Sequence, residues 1–506
     1  MKKRAIIIGA GYGGMALANL LGKAGYQVDV YEKNERPGGR ISAFEQDGFL
    51  FDIGPSWYLM PEVFDQYYAL FGESATKRLD LIRFTPGYKV YFGKGEPIVI
   101  QGDLEKDAET FEQIEPGAGQ QLRKYVETSS LVYNVATKHF LYTNFQRIGD
   151  VMKKEIFQHS LRMLTMVFRP LDAYVSKYFK DSRLKRILEY HMVFLGSSPF
   201  QAPAIYTLMS HLDFKSGVFY PRRGMLSLAD DLADLGSDYD ITYHADTPVH
   251  EIVVENGTAT GVRLDSGIVT ADVVISNADL YHTETKLLSQ PHQSFPASYW
   301  KKRQPGPGAL LLSLGVKGVL PQLQHHTLLF VEEWRDNFRA IYEDMEIPEH
   351  ASMYICNPTK TDPSLAPEGM ENLMILVPLP SGVAMTDDET SAFSARIIEQ
   401  LSIAIDQPDL ASRIVSQMIF GPNDFESRYN AWQYNAFGGQ SHILRQSIIF
   451  RTPNKSRKVK NLYYVGAGTL PGIGLPMCLM SAELVYKRIT GIKTGGPLIG
   501  LEDNKL

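Results

Sequence analysis

Cysteine is nearly absent. Cys356 and Cys478 are the only two in 506 residues, and they match no metal-binding or redox spacing, so a reducing compartment is expected and a structural disulfide is not. Long apolar runs are missing as well: nothing reaches the length of about 18 residues that a spanning helix needs. Met1-Lys2-Lys3-Arg4 is followed by only four apolar residues before Gly9, too short for a signal-peptide core, which points to a cytoplasmic start. No low-complexity tract or fixed-period repeat interrupts the chain, which excludes fibrous and solenoid architectures. A strong charge of either sign is also lacking. With a formal net charge of −6, no nucleic-acid partner is expected.

What remains is the composition of an ordinary globular protein, 44% hydrophobic and 21% charged, on a chain longer than one core comfortably fills. Two domains, or one large domain with an insertion, follow from that length. Charge is uneven along it. From Lys138 to Arg186 there are about 11 basic and 4 acidic residues, roughly +7, leaving about −13 elsewhere.

Arg4 to Ile8 is a short β-branched run, followed at once by Gly9-Ala10-Gly11-Tyr12-Gly13-Gly14 and a helical pattern through Leu17, Leu20 and Leu21. Strand, glycine turn and helix give the Gly9-x-Gly11-x-x-Gly14 spacing its mechanics: a tight turn at Gly9, close backbone approach to a pyrophosphate at Gly11, and close helix–strand packing at Gly14. Phosphates would sit on the helix N-terminus, where N–H groups and the dipole favour negative charge. Gln27 to Tyr31 reads as the second strand, and Glu32 at its end is placed to accept hydrogen bonds from a ribose diol. Pro37-Gly38-Gly39-Arg40 follows. Gly39 lets the chain pass close to a cofactor, and Arg40 can offer a bidentate guanidinium to a phosphate. Gly48 to Ser56 then brings a second glycine turn, at Gly54-Pro55, after a short strand.

These segments together resemble the flavoproteins with two dinucleotide-binding domains, the group that includes amine oxidases, protoporphyrinogen oxidase and carotenoid desaturases. Val249 to Leu264 alternates around Asn256-Gly257 as a β-hairpin and leads to a buried-looking strand, Ala271 to Ala278. In that group a valine like Val249 touches the adenine through its backbone; by itself it also reads as plain core. Near the carboxyl end, Asn461 to Met477, followed by a helical run from Leu479 to Ile489, closely resembles the signature of bacterial and fungal phytoene desaturases. The resemblance implies a helix start lying against a flavin, with Gly468, Pro476 and Met477 beside it, though Pro476 carries no N–H. Departures are Leu470 where the family has histidine, Ala467 where many relatives with this fold have an acid, and Arg222-Arg223 in a segment that is usually glycine-rich, where bulk could alter the substrate entrance.

The implied fold is α/β, a Rossmann-like FAD-binding domain with an inserted mixed α+β substrate domain. FAD-binding segments are expected at 1–90, 216–300 and 426–506, and substrate segments at 91–215 and 301–425. The implied function is FAD-dependent desaturation of a linear carotenoid precursor of phytoene or diapophytoene type, with oxygen or a quinone as electron acceptor. A ketolase, oxygenase or isomerase of the same fold, and a non-catalytic FAD-bound lipid-binding protein, are the alternatives. The stretch from Tyr133 to Tyr190 mixes cations, Lys153, Lys154 and Arg162 among them, with Phe140, Leu141, Phe145, Ile156, Phe157, Leu161, Met163, Leu164, Met166, Val167 and Phe168, which suits shallow insertion at the inner face of a membrane and also suits core helices of a substrate domain lining a tunnel. His325 and His326 look like ligands, but no paired carboxylates accompany them; surface or hydrogen-bonded histidines and no metal are expected. No side chain is singled out as a catalytic base.

Overall fold

The computed structural model describes residues 2–93, 95–145, 163 and 165–501. The first layer is a wholly parallel five-stranded sheet in the order Leu462–Tyr464, Val273–Ser276, Arg4–Ile8, Gln27–Tyr31 and Ile241–His244. Its central strands are runs of isoleucine and valine because helices or other strands cover both faces. The Tyr12–Lys23 and Leu475–Thr490 helices pack together. Ala16, Ala18 and Ala482 are fully buried there, and their small side chains allow that closeness. On the other face, Ile6, Ile8, Val274 and Leu462 meet Ile252 and Val262. These last two come from the meander Glu251–Glu255, Thr258–Leu264 and Gly267–Thr270. Its first turn has Asn256 and Gly257 at φ of 50° and 74°, the primed geometry the Asn-Gly pair predicts. Each fully buried isoleucine or valine contributes roughly 1.5–3 kcal/mol.

The second layer is a seven-stranded sheet, ordered Ile414–Phe420, Gly308–Lys317, Met370–Leu379, Met353–Cys356, His326–Phe330, Tyr88–Phe92, Ile98–Ile100. It is antiparallel except where His326–Phe330 runs alongside Tyr88–Phe92. The first expected boundary, at 90, therefore falls inside a strand of this sheet, which pairing with a partner more than two hundred residues away fixes. The Asp387–Ala404 helix, opened by a Thr386–Glu389 capping box, covers one face through Phe393, Ile397 and Leu401. The Ala118–Ala136 helix and its neighbours build the larger core on the other. No helix among the described residues is long and apolar enough to cross a membrane.

Candidate functional site

Four strands of the parallel sheet end at one place. Gly9, Glu32, Asn277 and Gly466 follow the carboxyl ends of their strands, and all four line a single cavity of about 970 Å³. A crevice outside the carboxyl ends of an open parallel sheet is where such folds bind ligands, and this one is near the top of the usual size range of about 300–1,000 Å³.

The glycine turn is built for close approach. A Cβ on Gly11 would lie 2.6 Å from Nδ2 of Asn277, a distance real side chains do not adopt, and Asn277 in turn donates to Gly9 O at 3.3 Å. Gly11 thus serves a neighbouring side chain as well as any pyrophosphate. Gly14 does not line the cavity, in contrast to its expected place among the binding residues. Its Cβ would lie 2.5 Å from Gly9 O, so its role is the packing of helix on strand. Glu32 is 5% exposed. Its Oε2 accepts from Ala10 N at 2.8 Å and its Oε1 from Asn34 N at 3.0 Å and Asn34 Nδ2 at 2.8 Å, which fixes the carboxylate and leaves Oε2 a lone pair for a hydroxyl.

Gly39, Arg40, Gly54, Pro55, Val249 and Gly468 all line the same cavity. Arg40 differs from expectation. Its Nε donates to Ala436 O at 2.8 Å and its Nη2 to Asn435 O at 3.2 Å, and the guanidinium lies 5.2 Å over the Tyr429 ring. Two of the five N–H donors thus stitch the amino-terminal turn to the 435–436 loop, and both on Nη1 and one on Nη2 are left over. Arg222 and Arg223 are exposed and away from the cavity. Arg222 pairs with Asp80 at 2.7 Å, so neither reshapes the entrance.

The carboxyl-terminal helix begins at Leu475, four residues earlier than its periodicity suggests, because Pro476 is well tolerated in a first turn. Its own bonding starts with Cys478 N donating to Gly474 O at 3.0 Å. Leu475 and Met477, on either side of the N–H-less Pro476, supply the helix-start donors, and all three line the cavity. The turn before it is held by Arg451, 3% exposed, which donates to Thr469 O at 3.2 Å and Ala467 O at 2.9 Å. Burial lowers the pKa of that guanidinium to about 10. His442 beside it donates to or accepts from neighbours on both ring nitrogens, Leu195 O at 2.5 Å and Arg451 Nη1 at 3.4 Å. Burial and the adjacent cation hold it neutral, with a pKa of about 3. Asn277, His442 and Arg451 escaped the sequence reading. Only Asn277 had a visible signal: like Glu32, it is the polar residue that ends a buried strand.

Beyond the helix start the cavity becomes an apolar arm. Phe140, Leu141, Phe145, Met163, Val167 and Leu311 are among its walls. Phe140, Leu141, Phe145, Met163 and Val167, suited by sequence to a membrane face or a tunnel, thus line the tunnel, while Met166 is buried away from it and Phe168 is 70% exposed; Ile156, Phe157, Leu161 and Leu164 lie outside the described residues. Lys153, Lys154 and Arg162 lie outside the described residues. A polar pair interrupts the arm. Tyr133 lines it and hydrogen-bonds Glu62 through its hydroxyl, with the ring stacked on His211 at 4.5 Å and packed in one cluster with Met480 and Met477. Burial, then the Glu62 charge, raises the phenol's pKa.

A cradle for a dinucleotide that opens into an apolar tunnel has clear relatives. Residues 12–489 match the family described as flavin containing amine oxidoreductase. Carotenoid 3,4-desaturase of Haloarcula japonica is 37% identical over 477 residues, 94% of this chain and 96% of that protein. The chain belongs to the carotenoid desaturase family of flavin-containing amine oxidoreductases. The zeta-carotene-forming phytoene desaturase of Myxococcus xanthus is 33% identical, with 96% of this chain and 94% of that protein covered. A 4,4'-diapolycopene oxygenase of a Methylomonas species is 30% identical over 96% of this chain and 98% of that one. Among solved structures, an oxidoreductase from Methanosarcina mazei matches 96% of this chain and 100% of its own at a TM-score of 0.59 and 17% identity, which bears on the fold alone. This desaturase-family chain is thus a flavoprotein with a Rossmann-like domain and a mixed second domain.

Proposed function

We propose that this protein desaturates a linear carotenoid precursor of phytoene or diapophytoene type, using FAD. The observation that carries the reading is the continuity of one cavity from the glycine cradle to the apolar arm. A polyene has no charged handle, so its affinity must come from apolar burial, at roughly 25 cal/mol per Å², and the arm offers that surface. The cradle fits FAD: a close-approach glycine, a fixed carboxylate in Glu32 for the ribose diol, and the Leu475 and Met477 amides at a helix start for negative charge on the ring.

When bound, FAD supplies the two-electron oxidation, taking hydride from a saturated carbon beside the conjugated segment and passing electrons to oxygen or a quinone. The protein's own part is to orient the chain, exclude water and accept a proton. Tyr133, beside Met477 where the helix start meets the arm, is positioned for the last task. Its oxygen takes the substrate proton as its own proton passes to Glu62. The source of such a substrate is a bilayer, and the exposed Phe168 together with the cations at Lys153, Lys154 and Arg162 supports peripheral attachment at the inner membrane face, each cation contributing about 1 kcal/mol. Removing those three charges is expected to weaken sedimentation with anionic liposomes at low salt.

The deciding experiment incubates FAD-loaded protein with phytoene in liposomes and follows absorbance and product mass. Red-shifted bands with loss of hydrogen pairs support desaturation. Unchanged phytoene, with oxygen added to an already conjugated polyene, would move the assignment to the oxygenase chemistry named for the Methylomonas relative.

A further inference from the structure

His325 and His326 are hydrogen-bonded rather than surface histidines, and each is bonded at one ring nitrogen only. They are 5% and 0% exposed. Strand pairing sets His326 directly opposite Cys356, and Asn357 N donates to His325 O at 2.8 Å, so the register of two strands gathers the three side chains. One ring nitrogen of each histidine and the Cys356 sulfur lie within 4.8 Å of one another. At Nδ1, His325 meets Thr361 Oγ1 at 2.6 Å and His326 the Tyr354 hydroxyl at 2.7 Å, and that hydroxyl also hydrogen-bonds the Cys356 thiol. Nε2 of each is buried and has no hydrogen-bond partner among the described residues. A buried polar atom left unpaired costs about 1–3 kcal/mol, and two beside a thiol are an unusual concentration of that cost. A hydroxyl on the rear nitrogen is the arrangement that orients a histidine for a metal.

We propose that His325, His326 and Cys356 form a binding site for one cuprous ion, with Nε2 of both histidines and the cysteine sulfur as donors. Charge and coordination number select the metal. A monovalent ion with one thiolate is neutral, whereas a divalent ion would leave a net positive charge in a core, a desolvation cost of several kcal/mol. Asp52, whose charge acts on Cys356, already accepts at Oδ2 from the Tyr220 hydroxyl and Met225 N, both at 3.0 Å, and is not one of the three donors. Two imidazoles and a thiolate are a soft set that suits a three-coordinate cuprous ion. Binding breaks the Cys356 S–H bond, forms the S–Cu bond and releases one proton to solvent. None of the three donors lines the flavin cavity. The site lies just behind its wall, since His326 stacks on Trp57 at 4.4 Å and Trp57 and Tyr354 face the cavity.

The test titrates the flavin-loaded protein with Cu(I) under anaerobic conditions against a colorimetric cuprous chelator. Binding of one equivalent is expected, with a copper absorption edge showing one sulfur and two nitrogen neighbours. Thr361→Ala, which removes only the hydroxyl behind His325, is expected to weaken binding about 10- to 100-fold with the flavin spectrum unchanged. Cys356→Ser is expected to abolish the sulfur neighbour. No binding, affinity untouched by both substitutions, a shell without sulfur or with more than one, or preference for Zn²⁺ under the same competition would each overturn the proposal. Should Cys356→Ser fail to fold, the wild-type edge and Thr361→Ala decide.

Discussion

The two ends of the cavity are made in opposite ways. The cradle is assembled from backbone: Gly9, Gly11 and Gly39 belong to short motifs, and their contribution is the absence of a side chain. The arm is assembled from side-chain volume, drawn from helices and strands scattered between Leu59 and Leu376. Backbone geometry tolerates almost no substitution, whereas an apolar wall tolerates any change that keeps its volume. Loss of the cradle should therefore be all-or-none, and loss of the arm graded.

Gly11→Val tests the first half most severely. The added side chain meets Asn277 Nδ2 from 2.6 Å, and colourless protein is expected on purification; a fully yellow variant would break the comparison. Tyr133→Phe comes next. It removes one polar atom of the arm without changing its shape, so flavin content and KM should hold while kcat falls about 100-fold or more, the usual range for a proton-transfer group. Ala309→Phe, on a buried strand facing the arm, should leave the flavin spectrum intact and lower kcat/KM for the polyene by at least about tenfold. Loss of flavin in that variant would show that the two ends are not separable.

The smallest expected effect concerns stability on the arm side. Glu189 is buried with Oε2 accepting from Trp334 Nε1 at 2.9 Å, and desolvation, then the Asp172 charge, raises its pKa to about 8. Its folded pKa exceeds its unfolded one, so its contribution is fully present below about pH 4.5 and is lost as pH rises toward 8, by at most about 1.4 kcal/mol per pH unit. Glu189→Gln removes that slope. Denaturant midpoints measured from about pH 5 to about pH 8 should show the variant gaining on the wild type as pH rises.

The same division governs how far the sequence could be read. Strands Arg4–Ile8 and Gln27–Tyr31, the Asn256-Gly257 turn and the glycine turn between strand and helix all appear where their residues predict, because each depends on interactions among neighbours in the chain. The helix start was placed four residues late, since Leu475 to Cys478 carries no capping side chain and only Gly474, at φ 122°, marks the entry. Arg40 was read from its chemistry alone, and the carbonyls that engage it belong to a loop nearly four hundred residues away.

By itself the sequence determined these local conformations and the family, since a glycine turn and an Asn-Gly hairpin are decided within a few residues. Tertiary structure alone decided that Asn277 wedges the turn, that Phe140, Leu141, Phe145, Met163 and Val167 line a tunnel, and that two neighbouring histidines are buried with a cysteine thirty residues on from the second. These are contacts between distant segments, fixed by sheet order and register, and no local pattern encodes them.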